Sequence, residues 1–143
     1  MQIGSLSLEN NTILAPLAGI TNLPFRLLAK EAGCGLVCSE MISSHGLVYK
    51  SEKTEKMLHS APEEKPLSVQ LFGARPDFMA EAAAIVESSG ADVVDINFGC
   101  SVRKILKSGS GAALMKTPDL AEDLLKAVRR AIRIPLTIRP CSC

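Results

Sequence analysis

The sequence has no long apolar run, and this limits the kind of protein it can encode. No stretch of the 143 residues approaches the ~18 consecutive apolar residues of a membrane-spanning helix. Residues 1–17 have neither a basic leader nor a continuous apolar centre, so they do not resemble a secretory signal peptide. We therefore expect a cytoplasmic protein without a membrane partner.

The sequence also has little net charge and no regular cysteine framework. Lys and Arg number 16 and Asp and Glu 15, so the net charge of +1 gives no global basic excess, and any site for a polyanion must be a local patch. The five cysteines are an odd number, which favours free thiols in a reducing compartment. Cys34 and Cys38, the Cys141–Cys143 pair and the two histidines do not match a metal-ligand motif, so we expect no metal site.

What the sequence does contain is an alternation of apolar strands and amphipathic helices. The predicted strands are residues 12–17, 35–40, 67–73, 91–97 and 134–138. The predicted helices are residues 23–32, 42–49, 76–90 and 118–132, and the polar stretch 51–66 is predicted to be a surface excursion. Because parallel strands require helical crossovers, the pattern predicts an α/β protein with every strand ending at one edge of the sheet.

Helical spacing also predicts which residues face the core. The first helix is expected to bury Leu23, Leu27, Leu28 and Ala32. The later helices are expected to bury two further sets, which are Met79, Ala82, Ala83 and Val86, and Ala121, Leu124, Leu125, Val128 and Ile132.

The most distinctive stretch is DINFGCSVRK, in which an apolar strand ends in Asn97, Gly99 and Cys100. Cys100 therefore lies at the edge where the βα loops of α/β enzymes carry their chemistry, although a small buried filler is the alternative for a cysteine. The Asn97 amide can bond a planar amide ligand, and a glycine lets a ligand approach the backbone.

Three other polar side chains fall inside or at the ends of predicted strands. Gln70 interrupts an apolar strand, so its amide must bond either neighbouring groups of the chain or a ligand, and we favour a ligand. Glu40 is interpreted as a cap or an inter-strand partner. Asp95 is interpreted as an interior carboxylate in a polar network.

Cations follow the candidate thiol closely. Arg103, Lys104 and Lys107 come within one or two helical turns of Cys100. Their charges predict a local patch that attracts a phosphate backbone towards the thiol.

Five stretches taken together resemble the flavin-dependent tRNA-dihydrouridine synthases, most closely their bacterial B-type branch. These stretches are LAPLAGITNLPFRLLAK, SEMISS, VQLFGARP, DINFGCSVRKILKSGSGAALMKTPDL and IPLTIR, and they occur in order from about Thr12 to Arg139. The resemblance implies an FMN-binding (β/α)8 barrel, that is, a TIM barrel, followed by a small helical domain. Residues 1–143 would then be an incomplete catalytic barrel of about five βα units, with the C-terminal half and the helical domain absent.

The resemblance further implies an oxidoreductase that modifies tRNA. In this family FMN reduced by NADPH passes a hydride to C6 of a uracil, giving 5,6-dihydrouridine, and a cysteine protonates C5. That proton donor corresponds to Cys100, and thiols suit the role because their ordinary pKa of about 8.5 leaves them mostly protonated at neutral pH. The flavin contacts correspond to Pro16, Leu17, Ala18, Gln70 and Arg139, and the substrate contacts to Asn97, Arg103 and Lys104.

Three features depart from the family pattern. Ser101 stands where proline usually follows the cysteine, and Arg139 stands where a lysine usually contacts the flavin. After Arg139 the expected continuation is replaced by PCSC. We therefore expect the 143-residue chain alone to bind FMN weakly or not at all and to self-associate through an open sheet edge.

Two alternatives remain open from the sequence. One is another FMN-barrel dehydrogenase, such as a dihydroorotate-dehydrogenase-like protein, which also places an asparagine and a cysteine near its substrate. The other is a truncated, non-catalytic remnant that retains RNA or partner binding.

Overall fold

A four-stranded parallel sheet organises the computed structural model, which describes residues 1–140. Cys141 and Cys143, which the sequence assigns to no metal-ligand motif, lie outside the described residues. The strands and α-helices, in chain order, are β1 (Gln2–Ile3), β2 (Leu6–Ser7), α1 (Leu23–Glu31), β3 (Val37–Ser43), α2 (Ser44–Val48), α3 (Glu52–Lys56), β4 (Leu67–Phe72), α4 (Pro76–Ser88), β5 (Val93–Phe98), α5 (Arg103–Lys107), α6 (Pro118–Ala131) and β6 (Leu136–Pro140). Short 3₁₀ helices at Pro62–Glu64 and Gly111–Lys116 complete the described elements.

The strands of the parallel sheet follow chain order, β3-β4-β5-β6. In register, Gln70 of β4 lies beside Asp95 of β5, and Asn97 of β5 lies beside Arg139 of β6. A doubly wound sheet needs a reversal of strand order, and none occurs among these four strands. The fold is therefore α/β with consecutive parallel units, as the sequence predicts.

The core lies between one face of this sheet and the helices α4 and α6. On α4 the predicted set Met79, Ala82, Ala83 and Val86 is fully buried. On α6, Leu124 and Val128 are fully buried and Ile132 follows at the end of the helix, while Ala121 and Leu125 pack against the core at its rim. The helical spacing of apolar residues thus identified these two faces correctly.

The first predicted strand was wrong in extent. Within residues 12–17 only Ile13 forms a bridge, a parallel one to Leu36 beside β3. The pairing ends there for a chemical reason: Pro16 has no N–H to donate, and the N–H of Leu17 is taken by the Thr21 hydroxyl. The antiparallel hairpin of β1 and β2 was not predicted.

The buried face of α1 also differs from the prediction. Leu28 is 62% exposed, whereas Arg26 is buried. Apolar spacing identifies the buried face of a helix only when that face packs against apolar residues. Here α1 packs against the segment 59–64, whose polar groups bind Arg26.

Among residues 1–140 no helix is both long and apolar enough to cross a membrane.

Candidate active site at the carboxyl edge of the sheet

The two faces of the sheet differ in polarity. Along β4, Val69 and Leu71 point into the core beneath the helices, whereas Ser68 and Gln70 alternate with them and point to the other face. Asp95 and Thr137 share that second face, because the Asp95 carboxylate bonds to both Gln70 and Thr137. The candidate site is built on this polar face.

A pair of amides and a carboxylate forms the centre of the site. The Gln70 Nε2 donates to Asp95 Oδ2 at 2.6 Å, and Gln70 Oε1 accepts from Asn97 Nδ2 at 3.0 Å. Gln70 and Asp95 are only 2% and 1% exposed. Both ends of the Gln70 amide therefore have partners within the chain, so its burial alone does not require a ligand.

The Asp95 carboxylate extends this network towards β6. Its Oδ1 accepts from the Thr137 hydroxyl at 2.6 Å, and its Oδ2 lies 3.4 Å from Arg139 Nε. The same guanidinium reaches Cys38 Sγ at 3.6 Å. Asp95 thus has the predicted role of an interior carboxylate in a polar network.

Cys38 is a buried thiol that the sequence reasoning did not single out. Burial raises the pKa of Cys38 to about 11, and the Arg139 guanidinium offsets part of that rise. A thiol that holds its proton this firmly is a poor nucleophile. Cys38 is therefore a packing residue beneath Arg139.

The loop that carries Cys100 is fixed from both sides. Asn97 Oδ1 accepts from the backbone N–H groups of Gly99 at 3.1 Å and Cys100 at 2.9 Å. On the other side, the Ala112 N–H donates to the Cys100 carbonyl at 3.1 Å. The thiol itself belongs to a partly exposed residue, so a substrate can reach it.

Gly111 permits this close approach. A Cβ atom at position 111 would lie 2.6 Å from the Cys100 carbonyl oxygen, and the residue has φ +61°, a conformation that favours glycine. The Gly111–Lys116 helix can therefore press against the Cys100 loop only because residue 111 has no side chain.

A second loop at this edge contains the predicted flavin contacts Pro16, Leu17 and Ala18. Leu17 is 46% exposed, and its backbone N–H and C=O both bond the Thr21 hydroxyl, at 3.1 and 3.2 Å. The N–H of Gly19 donates to the Glu40 carboxylate, so Glu40 joins β3 to this loop, whereas the sequence predicted a strand-end cap or an inter-strand partner. The loop is thus held in place while its apolar side chains face outward.

A buried ion pair holds the segment that follows this loop, through the Thr21 carbonyl. Arg26 Nε lies 2.5 Å from Glu64 Oε2, and the two side chains are 3% and 0% exposed. Arg26 also donates to the backbone carbonyls of Thr21 at 2.9 Å and His59 at 3.0 Å. Glu64 falls in the stretch 51–66 that was predicted to be a surface excursion, so its burial was not expected.

The predicted cations lie beside the thiol loop, on α5. Arg103, Lys104 and Lys107 are exposed, whereas Ile105 on the same helix is buried. The described residues include no ion pair of these three cations with a carboxylate. They form a basic rim next to Cys100.

The structure brings together most, but not all, of the predicted site residues. Gln70, Asn97, Cys100 and Arg139 belong to one hydrogen-bonded network. No hydrogen bond joins the Pro16–Ala18 loop or the basic rim to that network within residues 1–140. Sequence reasoning missed Thr137 and Gly111; a threonine in register with Asp95 and a glycine shortly after the thiol loop were the available signals.

Comparison with known proteins gives a consistent result. The family model for dihydrouridine synthases matches residues 13–140. The tRNA-dihydrouridine synthase B of Vibrio cholerae is 42% identical over 139 residues, covering 97% of this chain and 43% of that protein. A probable tRNA-dihydrouridine synthase of Rickettsia prowazekii is 40% identical over 142 residues, with the same shares covered.

A solved structure supports the fold. The structure of a variant of NCR from Zymomonas mobilis superposes with a TM-score of 0.60 and 18% identity, covering 100% of this chain and 58% of that one. This likeness concerns the fold alone. The chain spans less than half the length of the curated relatives it matches.

Proposed function

The chain belongs to the dihydrouridine synthase family, and from this premise we propose that it takes part in the flavin-dependent reduction of uridine to 5,6-dihydrouridine in tRNA. The observation that carries the proposal is the fixed Cys100 loop, in which Asn97 binds the backbone of the thiol residue while bonding Gln70. A tRNA substrate makes the cytoplasm the proposed location. The family match gives no support to a dihydroorotate-dehydrogenase-like activity.

In the proposed reaction Cys100 is the general acid. Its Sγ holds the proton that is delivered to C5 of the uracil. The two backbone hydrogen bonds at its N–H and C=O limit the movement of the loop, so the thiol is presented in a defined direction. A positioned proton donor typically contributes 10²–10⁴-fold to a rate.

The donor set at the sheet edge fits a flavin. Pro16, Leu17 and Ala18 offer an outward, largely apolar loop, while Gln70 and Arg139 offer an amide and a cation on the polar face. When bound, FMN reduced by NADPH supplies a hydride for C6 of the uracil. The Pro16–Ala18 loop, Gln70 and Arg139 would hold the flavin, and Asp95 would keep the Arg139 guanidinium in place.

The proposed RNA substrate fits the basic rim on α5. Arg103 and Lys104 are exposed cations that can bind phosphates on either side of the target nucleotide. The target uracil must leave its stack to reach Cys100, which is least costly in an unpaired loop. Asn97 is the proposed contact to the flipped base, through an exchange of its present hydrogen bonds.

We propose that the sheet is the N-terminal part of a (β/α)8 barrel with about five βα units. Its support is the unreversed strand order and the bridge at Ile13, which extends the order by one position. Within residues 1–140 the strand β6 pairs only with β5, so its other edge can accept a further strand or a second copy of the chain.

The test asks whether these residues support catalysis when a relative supplies the rest of the protein. In a chimera, residues 1–140 replace the matching part of the Vibrio cholerae relative. The chimera is incubated with FMN, NADPH and an unmodified tRNA transcript, and dihydrouridine is measured by mass spectrometry. The variant Cys100→Ser should lose about 10²-fold or more of the rate. Cys34→Ser, which changes a thiol just before the amino end of β3, should keep it.

Two results would contradict the proposal. One is a Cys100→Ser chimera as active as its parent, which would remove the acid role. The other is a folded chimera that binds tRNA and reduces no uridine, which would favour the remnant alternative. The same assay on the 143-residue chain then shows whether it acts alone.

A further inference from the structure

A partly exposed group of rings lies at the same sheet edge as Cys100 and has no part in the site described above. It consists of His45, Tyr49 and Phe78 with the guanidinium of Arg75, and is called the aromatic platform below. The ring centroids of His45 and Tyr49 are 4.4 Å apart, and those of His45 and Phe78 are 5.5 Å apart in a stacked arrangement. Arg75 Cζ lies 4.1 Å from the Phe78 centroid.

Two of the three rings of the platform are exposed, although large rings are costly to leave in water, and the third, Phe78, is half-buried. Tyr49 is 64% exposed, and His45 is also exposed. The chain has no tryptophan, one tyrosine and four phenylalanines, so two of its five Phe and Tyr rings gather at this place. His45 and Tyr49 are four residues apart, on and directly after α2, which aligns their rings on one helix face.

The position of the platform relates it to the proposed catalytic loop. A depression of about 240 Å³ lies beside it, between the ends of β3 and β4 and the segment that follows α5. Ser108 and Ser110 line it, and the Ala112 N–H, two residues after Ser110, donates to the Cys100 carbonyl at 3.1 Å. Whatever enters this depression therefore lies next to the loop that carries the thiol.

The charges around the platform favour an anionic partner. The exposed cations Lys50 and Lys107 adjoin Tyr49 and Ser108 in sequence. Arg75 is paired with Asp77 at 2.5 Å, and this exposed pair keeps the guanidinium over the ring of Phe78. Aromatic faces flanked by cations are the means by which proteins bind unpaired nucleotides, since every base has a face that can stack.

We propose that the aromatic platform binds an unpaired nucleotide of the RNA substrate by stacking its base on Tyr49, next to the Cys100 loop. This inference rests on the proposed function, because it takes the substrate to be RNA. It adds a base-stacking site to the phosphate contacts of the basic rim. The occupant is a nucleotide that flanks the target, not the target uracil, because the lining of the depression includes neither Gln70 nor Asn97.

The experiment uses the single tyrosine as reporter. Because Tyr49 is the only tyrosine and no tryptophan is present, the intrinsic fluorescence of the chain comes from the platform. An eight-nucleotide single-stranded RNA is titrated into the 143-residue chain, without flavin or NADPH, and heparin serves as a polyanion without bases. We expect saturable quenching by the RNA and none by heparin.

A variant series separates stacking from charge. Because Tyr49→Leu removes the reporter, the variants are compared with the same RNA carrying a fluorescent label. Tyr49→Leu should weaken its binding roughly 5- to 150-fold, as expected for the loss of one base–aromatic stack. Tyr49→Phe keeps the ring and should stay within about two-fold. Met115→Ala changes an equally exposed side chain in a groove beside α6 and is the matched control. Far-ultraviolet circular dichroism verifies that each variant is folded.

Salt provides a further criterion. Phosphate contacts weaken steeply between 50 and 200 mM salt, whereas stacking does not depend on released counterions. The ratio of the dissociation constants of Tyr49→Leu and the parent chain should therefore stay constant over this range, while both constants rise.

Three outcomes would overturn the inference. They are equal affinity of Tyr49→Leu and the parent chain, no RNA binding by the chain, and a change of oligomeric state in Tyr49→Leu with unchanged RNA affinity, which would make the platform an interface between copies. Failure of the proposed function looks different, since RNA would bind and quench Tyr49 while the chimera formed no dihydrouridine.

Discussion

Removing the charge of Glu64 should destabilise the chain far more than the same change at an exposed glutamate. Glu64 is fully buried, and its carboxylate binds Arg26 through two bonds of 2.5 and 3.1 Å. Glu64→Gln keeps the shape and leaves the Arg26 guanidinium buried without an anion. Breaking a buried ion pair in this way costs about 3–5 kcal/mol. Because a domain is typically stable by only about 5–15 kcal/mol, the loss should be a large share of the total.

The assay is urea unfolding at pH 7, followed by circular dichroism at 222 nm. Glu52→Gln is the matched control, because it lies in the same polar stretch and pairs with Lys56 four residues away at 2.7 Å. Those two side chains are 83% and 64% exposed, so the control should change the free energy of unfolding by no more than ~0.5 kcal/mol. The slope of the free energy with urea should be the same for both variants and the parent chain.

A double-mutant cycle identifies the cause of the loss. Arg26→Met combined with Glu64→Gln removes both charges, so the cost of the pair should be well below the sum of the two single changes. The carbonyls of Thr21 and His59 lose their donor in the double variant, so full recovery is not expected. If Glu64→Gln costs no more than Glu52→Gln, the pair is not a buried charge pair in solution and the reasoning is wrong.

Three further predictions concern the residues around the thiols. Gly111→Ala should destabilise the chain more than Gly19→Ala and should speed the reaction of Cys100 with a thiol reagent. Both glycines have positive φ, but only at position 111 would the added Cβ meet a backbone oxygen, at 2.6 Å. Equal losses of stability in urea unfolding would contradict this prediction. Asn97→Ala should also speed the reaction of Cys100 by freeing the loop, with thiol kinetics as the measure. The free energy of unfolding should fall by about 2–3 kcal/mol as the pH rises from about 9 to about 11, because the Cys38 thiol loses its proton in the unfolded chain at lower pH than in the folded chain. Urea unfolding of Cys38→Ala over the same pH range should not show this decrease.

The parts of the fold that could be predicted are those in which one face of a helix or strand is buried and the apolar residues of that face recur at regular spacing. The faces of α4 and α6 repeat every three to four residues, so Met79, Val86, Leu124 and Val128 identified themselves as core. The structure extends β3 to Ser43, beyond its predicted end at residue 40. The ends of β4 and β5 were predicted to within one residue, because their apolar runs stop where a parallel sheet meets its loops. Such signals need no knowledge of the partner element.

The parts that could not be predicted depend on partners far away in sequence. Arg26 and Glu64 are 38 residues apart, and the residues around each in the sequence do not indicate that the other will pair with its charge. A charged residue in an amphipathic helix is ordinarily assigned to the solvent face. The prediction therefore buried Leu28 and exposed Arg26, the reverse of the structure. The short hairpin of β1 and β2 and the single bridge at Ile13 are likewise tertiary pairings with little local pattern.

The candidate site shows the same division, with one consequence for its chemistry. The sequence placed Gln70, Asn97 and Cys100 at one edge, but it could not show that Asn97 uses its Nδ2 on Gln70 and its Oδ1 on the backbone of Cys100. Asn97 Oδ1 already accepts from two backbone N–H groups, so a ligand that donates to this oxygen must displace a contact that fixes the thiol loop, whereas a ligand that accepts from Nδ2 can use its second N–H. Occupation of Asn97 Oδ1 and the position of the Cys100 thiol are therefore coupled through a single side chain.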